Sequence, residues 1–396
     1  MTTWHWLYAA APPYRWRFVA RVLFKTALLF VALNLLCVAV NPLPTLGRLS
    51  AYNRLFAGRP RLPYGENPAV AYNLSLFQLE AMFAAHEVAR PPRGDEFRVV
   101  LIGDSSVWGI LLRPEETLAG QLNAAGLRTA DGRRVRIYNL GYPTMSLTKD
   151  LLLLDYARRY QPDLIVWLFT LESFDQRAQL DPALLQHNPE PVRRLIVRYG
   201  LAQRTDDPRF VSLSWRDKTL IGRRRALADL LRLQLYGVPW AVTGIDQEYR
   251  DDYTPRAVDL PADRTWHGLT EDLFTPADLV FDVLRAGVTL AGDTPILLVN
   301  EPMLISRGAN SDIRYNSFYP RWAYDAYRQW LHQESERQGW ALLDLWDALP
   351  DAACYTDSAV HLTPVCAGQL AASLGPEIVR LASSAAGEGE RSHGRQ

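Results

Sequence analysis

The chain has 396 residues, 48% of them apolar and 11% aromatic, so it can bury a sizeable core and is not disordered as a whole. Its 43 basic residues balance 43 acidic ones, and a formal charge of zero excludes the basic bias of a nucleic-acid binder. Three cysteines (Cys37, Cys354, Cys366) are too few for a disulfide scaffold or a four-ligand zinc site, and no His, Cys and carboxylate cluster has metal-ligand spacing; no metal and no cofactor is expected. Only Lys25, Lys149 and Lys218 among the basic residues are lysines, and the arginine excess is spread along the chain, which reads as base composition rather than function.

Residues 22–40 are apolar apart from Lys25, Thr26 and Asn34, 19 residues in all. That length suits a hydrocarbon core ~30 Å thick. Arg15, Arg17, Arg21 and Lys25 precede or enter the stretch, Trp4, Trp6, Tyr8, Tyr14 and Trp16 add an aromatic belt, and no basic residue follows before Arg48. The positive-inside rule then sets residues 1–21 in the cytoplasm and everything after Asn41 outside, the arrangement of a single-pass membrane protein. A buried soluble helix would not need the basic flank. A cleaved signal peptide would need a cleaner small-x-small site than Cys37-Val38-Ala39, and Leu36 is too large for a lipoprotein box ending at Cys37. An uncleaved signal anchor, with the bilayer as its partner, is the favoured reading. An outside location also permits a disulfide.

Residues 41–96 are rich in Pro, Arg and Tyr, with a helical pattern near 74–89, and read as a stalk that packs onto the following domain. An α/β pattern occupies 97–382. Strands are predicted at 98–102, 135–140, 164–169, 295–299 and 341–345, with helices at 118–125 and 147–159. The third run, LIVWLF, is apolar throughout, as a central parallel strand must be. A helix in each interval implies a parallel sheet with right-handed crossovers. Residues 173–293 are too long for one crossover and should form a helical, cap-like insertion. Its strongest pattern, 215–235, sets Leu220, Ile221, Leu227, Leu230, Leu231 and Leu235 against Lys218, Arg223, Arg224, Arg225 and Arg232. It is either a cap helix with a solvated basic face or an amphipathic helix lying on the outer leaflet beside the anchor. Residues 383–396 are small and polar and read as a disordered tail.

The first strand runs into Gly103-Asp104-Ser105-Ser106. A serine at a sharp strand-to-helix turn projects its hydroxyl above the C-terminal edge of a parallel sheet, where such folds bind ligands. Downstream, after the fifth strand and before the last helix, comes Tyr355-Thr356-Asp357-Ser358-Ala359-Val360-His361-Leu362-Thr363-Pro364. An Asp and a His there can swing back over the same edge. A serine needs a base to be nucleophilic at neutral pH, and the base needs an orienting group.

These blocks resemble the SGNH/GDSL hydrolase superfamily over about residues 97–374. Gly103-Asp104-Ser105 matches its first block, and Asp357, His361 and Leu362-Thr363 its last. The resemblance implies a flavodoxin-like three-layer fold, a five-stranded parallel sheet in order 2-1-3-4-5, and a Ser-His-Asp hydrolase or acyltransferase. It also implies an oxyanion hole made by the Ser105 N–H, a second-block glycine N–H and a third-block Asn amide.

The chain departs from that pattern in three places. In the second block, Asn139-Leu140-Gly141-Tyr142-Pro143-Thr144 puts Thr144 where the family has glycine. The donor is a backbone N–H, so a threonine with ordinary dihedrals can serve, and Gly141 lies in the same loop. In the third block Thr170 and Glu172 stand where Gly and Asn are usual. An ionised Glu172 accepts and cannot donate, so it is protonated, turned away, or in contact with substrate; it is equally readable as a helix N-terminal acid. In the last block Asp357 precedes His361 by four residues where three is usual, and Ser358 takes the usual Asp place. Asp357 is the chosen orienter, through a one-residue bulge.

Other candidates have competing readings. Ser105 could cap a helix, and His361 could be a packed surface histidine. Glu301, after the fourth strand, is an active-site carboxylate or a loop cap. His187 and His267 read as structural or exposed, and Trp108 as pocket wall or packing. Cys354 and Cys366 bracket Asp357 and His361 and either form a disulfide or stand as a loop thiol and a buried hydrophobe. The expected function is a membrane-anchored exoplasmic serine esterase or O-acyltransferase acting on ester-bearing small molecules, glycans or lipids of the cell envelope. The alternative is a catalytically silent relative that binds or scaffolds envelope polysaccharide.

Overall fold

The computed structural model describes residues 15–56, 58–64, 77–243 and 252–393. Trp4, Trp6, Tyr8 and Tyr14 of the expected aromatic belt lie outside them. Helix α1 (Trp16–Val40) is followed by α2 (Leu43–Gly47), α3 (Ala51–Leu55) and α4 (Leu79–Ala84). Asn41 ends α1 in the left-handed conformation at φ 44°, donating its N–H to the Cys37 carbonyl, and Pro42 forbids continuation. Of the helical pattern near 74–89, residues 74–76 lie outside the described residues, and the rest holds α4 and a 3-10 turn at Glu87–Ala89.

The α/β domain runs β1 (Glu96–Ile102), α5 (Ser105–Trp108), α6 (Leu118–Ala124), β2 (Arg134–Asn139), α7 (Leu147–Ala157), β3 (Leu164–Phe169), α8 (Ala183–Gln186), α9 (Pro189–Tyr199), α10 (Trp215–Lys218), α11 (Arg224–Thr243), α12 (Phe281–Ala291), β4 (Ile296–Asn300), α13 (Arg321–Gln338), β5 (Ala341–Asp344) and α14 (Pro364–His393). The strands form one parallel sheet in the order β2-β1-β3-β4-β5. Each strand alternates its side chains between two faces, and both are covered. Val100, Ile102, Ile165, Trp167 and Phe169 pack into the core shared with α7, α12 and α13. Val99, Leu101, Leu164, Val166 and Leu168 face the opposite core with α6 and α14. This is the expected three-layer arrangement.

Three expectations change. The 173–293 segment is not all insertion: α12 packs against α7 and is the regular crossover helix into β4. The single helix expected at 215–235 is two, because a turn at Thr219–Arg223 separates α10 from α11. There the Thr219 hydroxyl accepts from Gly222 N–H, and a side chain at Gly222 would stand 2.3 Å from the Arg216 carbonyl. The last helix continues past Ser383 to His393, where a disordered tail was expected over 383–396; residues 394–396 lie outside the described residues.

Candidate active site

The site is built at the C-terminal edge of the sheet. β1 ends at Ile102, and Asp104 caps the one-turn helix α5, its Oδ1 accepting from Ser106 N–H at 2.8 Å. Ser105 is thus the first residue of α5, a position whose N–H has no acceptor within a helix. The loop after β2 closes on this turn. Asn139 donates Nδ2 to the Val107 carbonyl at 2.8 Å and accepts from Gly141 N–H at 3.0 Å. A side chain at Gly141 would lie 2.5 Å from the Trp108 nitrogen, so only glycine permits the approach.

The distant last block arrives as a small hairpin. Tyr355 and Leu362 form an antiparallel bridge, and Thr356 N–H donates to the His361 carbonyl at 2.9 Å. His361 Nε2 lies 2.7 Å from Ser105 Oγ, and His361 Nδ1 lies 2.8 Å from Asp357 Oδ1. With Nδ1 carrying the ring proton, Nε2 accepts from the serine hydroxyl. The hydrogen bond from His361 holds the Asp357 carboxyl below its ordinary pKa range, with help from the Thr356 hydroxyl at 3.1 Å. Ser105, His361 and Asp357, 256 residues apart at the extremes of the pairing, therefore meet in one hydrogen-bonded run, and the carboxylate is Asp357 rather than a group at Ser358. Cys354 and Cys366 are joined by a disulfide, with α-carbons 5.3 Å apart, that ties the hairpin to α14.

The oxyanion candidates depart from expectation. The Thr144 backbone has φ 92°, so its dihedrals are not the ordinary ones expected but those that a glycine takes without strain; the strain falls on the threonine Cβ, and the N–H stays a candidate donor. Glu172 has turned to the insertion: Oε1 lies 2.8 Å from His267 Nε2, and Asp175 Oδ2 is 3.9 Å from the same nitrogen. The Glu172 hydrogen bond raises the His267 pKa above its usual value. His267, expected to be structural or exposed, is thus the partner of a candidate site residue.

Beneath the serine turn lies a charged group that sequence reasoning missed. The Lys149 ammonium is fully buried and donates to the Gly103 carbonyl at 2.8 Å and the Tyr142 carbonyl at 2.9 Å, with Asp150 Oδ1 at 2.5 Å. It joins the segment two residues before Ser105 to the one two residues before Thr144. Burial pushes the Asp150 carboxyl up to about 6, against the opposing pull of Lys149 and of the Trp167 indole N–H 3.0 Å away. Glu301 is a buried carboxyl that accepts from the Ser106 hydroxyl. Its desolvation, then the charge of Asp104, raise its pKa well above the ordinary range. The one signal that could have flagged Lys149 is its residue type, a lysine where arginine is the rule. Trp108 is packing: its indole donates to the Leu62 carbonyl at 2.6 Å, and Arg61 lies over its ring at 4.3 Å. His187 packs against the Phe77 ring.

No family model matches the chain, and no curated protein sequence matches it. Among solved structures, a carbohydrate acetylesterase family member from Sinorhizobium meliloti is similar at 12% identity over 72% of this chain and 99% of its own, with a TM-score of 0.34. A protein assigned to the G-D-S-L lipolytic family from Desulfitobacterium hafniense is similar at 11% identity over the same shares, with a TM-score of 0.31. The strand order β2-β1-β3-β4-β5, with the Gly-Asp-Ser turn after β1 and the Asp/His hairpin after β5, decides the fold. The chain has the SGNH/GDSL hydrolase fold. Within that frame, Thr144 and Glu172 stand in the loops after β2 and β3, at the C-terminal edge of the sheet.

Proposed function

We propose that the protein is a membrane-anchored serine esterase or O-acyltransferase with its domain outside the cytoplasm. The observation that carries the reading is the hydrogen-bonded run from Ser105 through His361 to Asp357. In the proposed reaction His361 Nε2 takes the Ser105 proton as Oγ attacks an ester carbonyl. Backbone N–H groups of Ser105 and Thr144 receive the oxyanion, with Gly141 setting the loop. His361 then returns the proton to the leaving alkoxide, and Asp357 holds the ring and stabilises the imidazolium. Water as second nucleophile gives hydrolysis; a sugar or lipid hydroxyl gives transfer.

The membrane part of the reading rests on α1, a 25-residue apolar helix with solvent-facing Leu and Phe side chains and its basic flank at the N-terminal end. At 1.5 Å per residue it is ~38 Å long, enough to cross a bilayer. Cell-envelope glycan or lipid esters follow as substrates from that address. Glu172, committed to His267 where an amide donor would serve an oxyanion, favours the second reading, a silent polysaccharide-binding protein. A fluorophosphonate probe separates the two: labelling of the wild type that is lost in Ser105→Ala supports the enzyme, and an unlabelled wild type supports the silent protein.

A further inference from the structure

Helix α11 is apolar on two opposite sides. Asp229, Leu233 and Gly237 form its buried face. Leu231, Leu235 and Val242 are 60%, 64% and 69% exposed. At 100° per residue these three fall within about 40° of one another and about 180° from Leu233. The buried face meets the domain through α2 and α3, so the second stripe has no partner within the described residues. Arg224 lies on the stripe, Arg225 and Arg232 lie toward Asp229 and pair with its carboxylate, and exposed Leu213, Trp215 and Ile221 add apolar surface toward α10. An exposed apolar stripe of this kind marks an interaction site rather than ordinary surface composition.

The position of the stripe names its occupant. α10 packs on α1, and the Ile221 N–H donates to Asn34 Oδ1 at 3.3 Å, which also explains how the one buried polar residue of the anchor is satisfied. Asn34 lies six residues before the end of α1 at Val40. The turn between α10 and α11 therefore stands about 9 Å back along the anchor from its outer end, within the ~5–10 Å to which interfacial helices sink. A second clasp holds α11 to the segment leaving the anchor: Gln234 accepts from Ala51 N–H at 2.7 Å and donates to the Leu49 carbonyl at 3.0 Å.

We propose that α10 and α11 form a second membrane contact, with the Leu231, Leu235 and Val242 stripe in the acyl boundary of the outer leaflet and Arg224 at anionic headgroups. The proposal rests on the reading of α1 as an anchor. It gives the insertion a function besides capping: it fixes the tilt of the domain on the bilayer, which a single-pass helix leaves free.

The test uses the full chain reconstituted in vesicles of phosphatidylcholine and phosphatidylglycerol. Cys37 is the free thiol among the described residues. A spin label there reports the anchor. Labels at Leu235→Cys and Leu273→Cys, each in a Cys37→Ser background, report the stripe and an exposed site six residues after His267. The expected result is a ratio of oxygen to water-soluble nickel collisions at Leu235 several-fold above that at Leu273, and close to that at Cys37. A Leu235 label that matches Leu273 while Cys37 reads as bilayer overturns the proposal and leaves the anchor standing. A Leu235 label shielded from both reagents means a second copy covers the stripe, which also overturns it. A Cys37 label that reads as water refutes the anchor and, with it, the membrane contact.

Discussion

Replacing Lys149 by Met removes one ammonium and three interactions while keeping an unbranched side chain one atom shorter. Gly103 O retains the Tyr142 N–H at 3.0 Å, so the Tyr142 carbonyl is the acceptor left without its donor, and Asp150 loses its counter-ion. Breaking a buried ion pair costs about 3–5 kcal/mol, whereas an orphaned buried carbonyl costs about 1–3. Asp150 decides which figure applies. Its pKa is already up at about 6, and losing Lys149 removes a group that lowers it, so in the variant it is neutral at pH 5 and charged or forced to bind a proton at pH 8. Lys149→Met should therefore lose about 3–5 kcal/mol at pH 8 and about 1–3 at pH 5. Lys149→Met/Asp150→Asn should lose about 1–3 at both. Denaturant unfolding of the full chain in detergent measures this, and the double variant guards against a single variant too weak to fold. In the double variant kcat on a short acyl ester should fall, by less than the ~10²–10³ of a deleted oxyanion donor, with KM little changed. A stability loss that is the same at both pH values would refute the electrostatic argument, and an unchanged kcat would refute the link from Lys149 to the Ser105 and Thr144 loops.

The remaining expectations concern the hairpin and the carboxyl below the serine. Asp357→Asn should cut kcat by up to ~10⁴, as expected of a triad left with the wrong histidine tautomer, whereas Ser358→Ala should leave it near wild type; a larger loss at Ser358 would move the orienting role there. Glu301 keeps its proton in the folded state above the pH at which it ionises in the unfolded chain, so it contributes a loss of stability as pH rises from its ordinary range toward its raised pKa. Glu301→Gln should remove that slope, matching wild type near pH 4 and exceeding it at pH 8; parallel melting curves across that range would show that Glu301 ionises as freely folded as unfolded. Reduction of the Cys354–Cys366 bond, which closes a loop across 12 positions, should cost roughly 2–3 kcal/mol and lower activity more than stability, because that loop carries His361. Intact-mass thiol counting under denaturing, non-reducing conditions should find neither cysteine alkylated.

What the sequence determined by itself is the set of features written in consecutive residues. The LIVWLF run of β3 spells a strand buried on both faces, residues 22–40 spell an apolar helix, and the Gly-Asp-Ser turn stands where a parallel strand must deliver a ligand-facing group. Strand order and the pairing of Ser105 with His361 followed from these blocks and the family they resemble. Helix ends and breaks were less legible: the residue pattern of 215–235 is continuous, yet the helix breaks at a turn that the Thr219 hydroxyl closes and that a side chain at position 222 would not fit. The tertiary structure alone decided every relation whose two halves carry no local signal of each other. Lys149 reads as one lysine in a helix until the sheet brings the Gly103 and Tyr142 carbonyls to it. Glu172 reads as a misplaced acid until the insertion returns His267, 95 residues later, to its side. Periodicity reports which face of an element is apolar; it does not report what meets that face, because burial and desolvation are set by groups distant in the chain, and those are what give a buried carboxyl its proton or a surface stripe its partner.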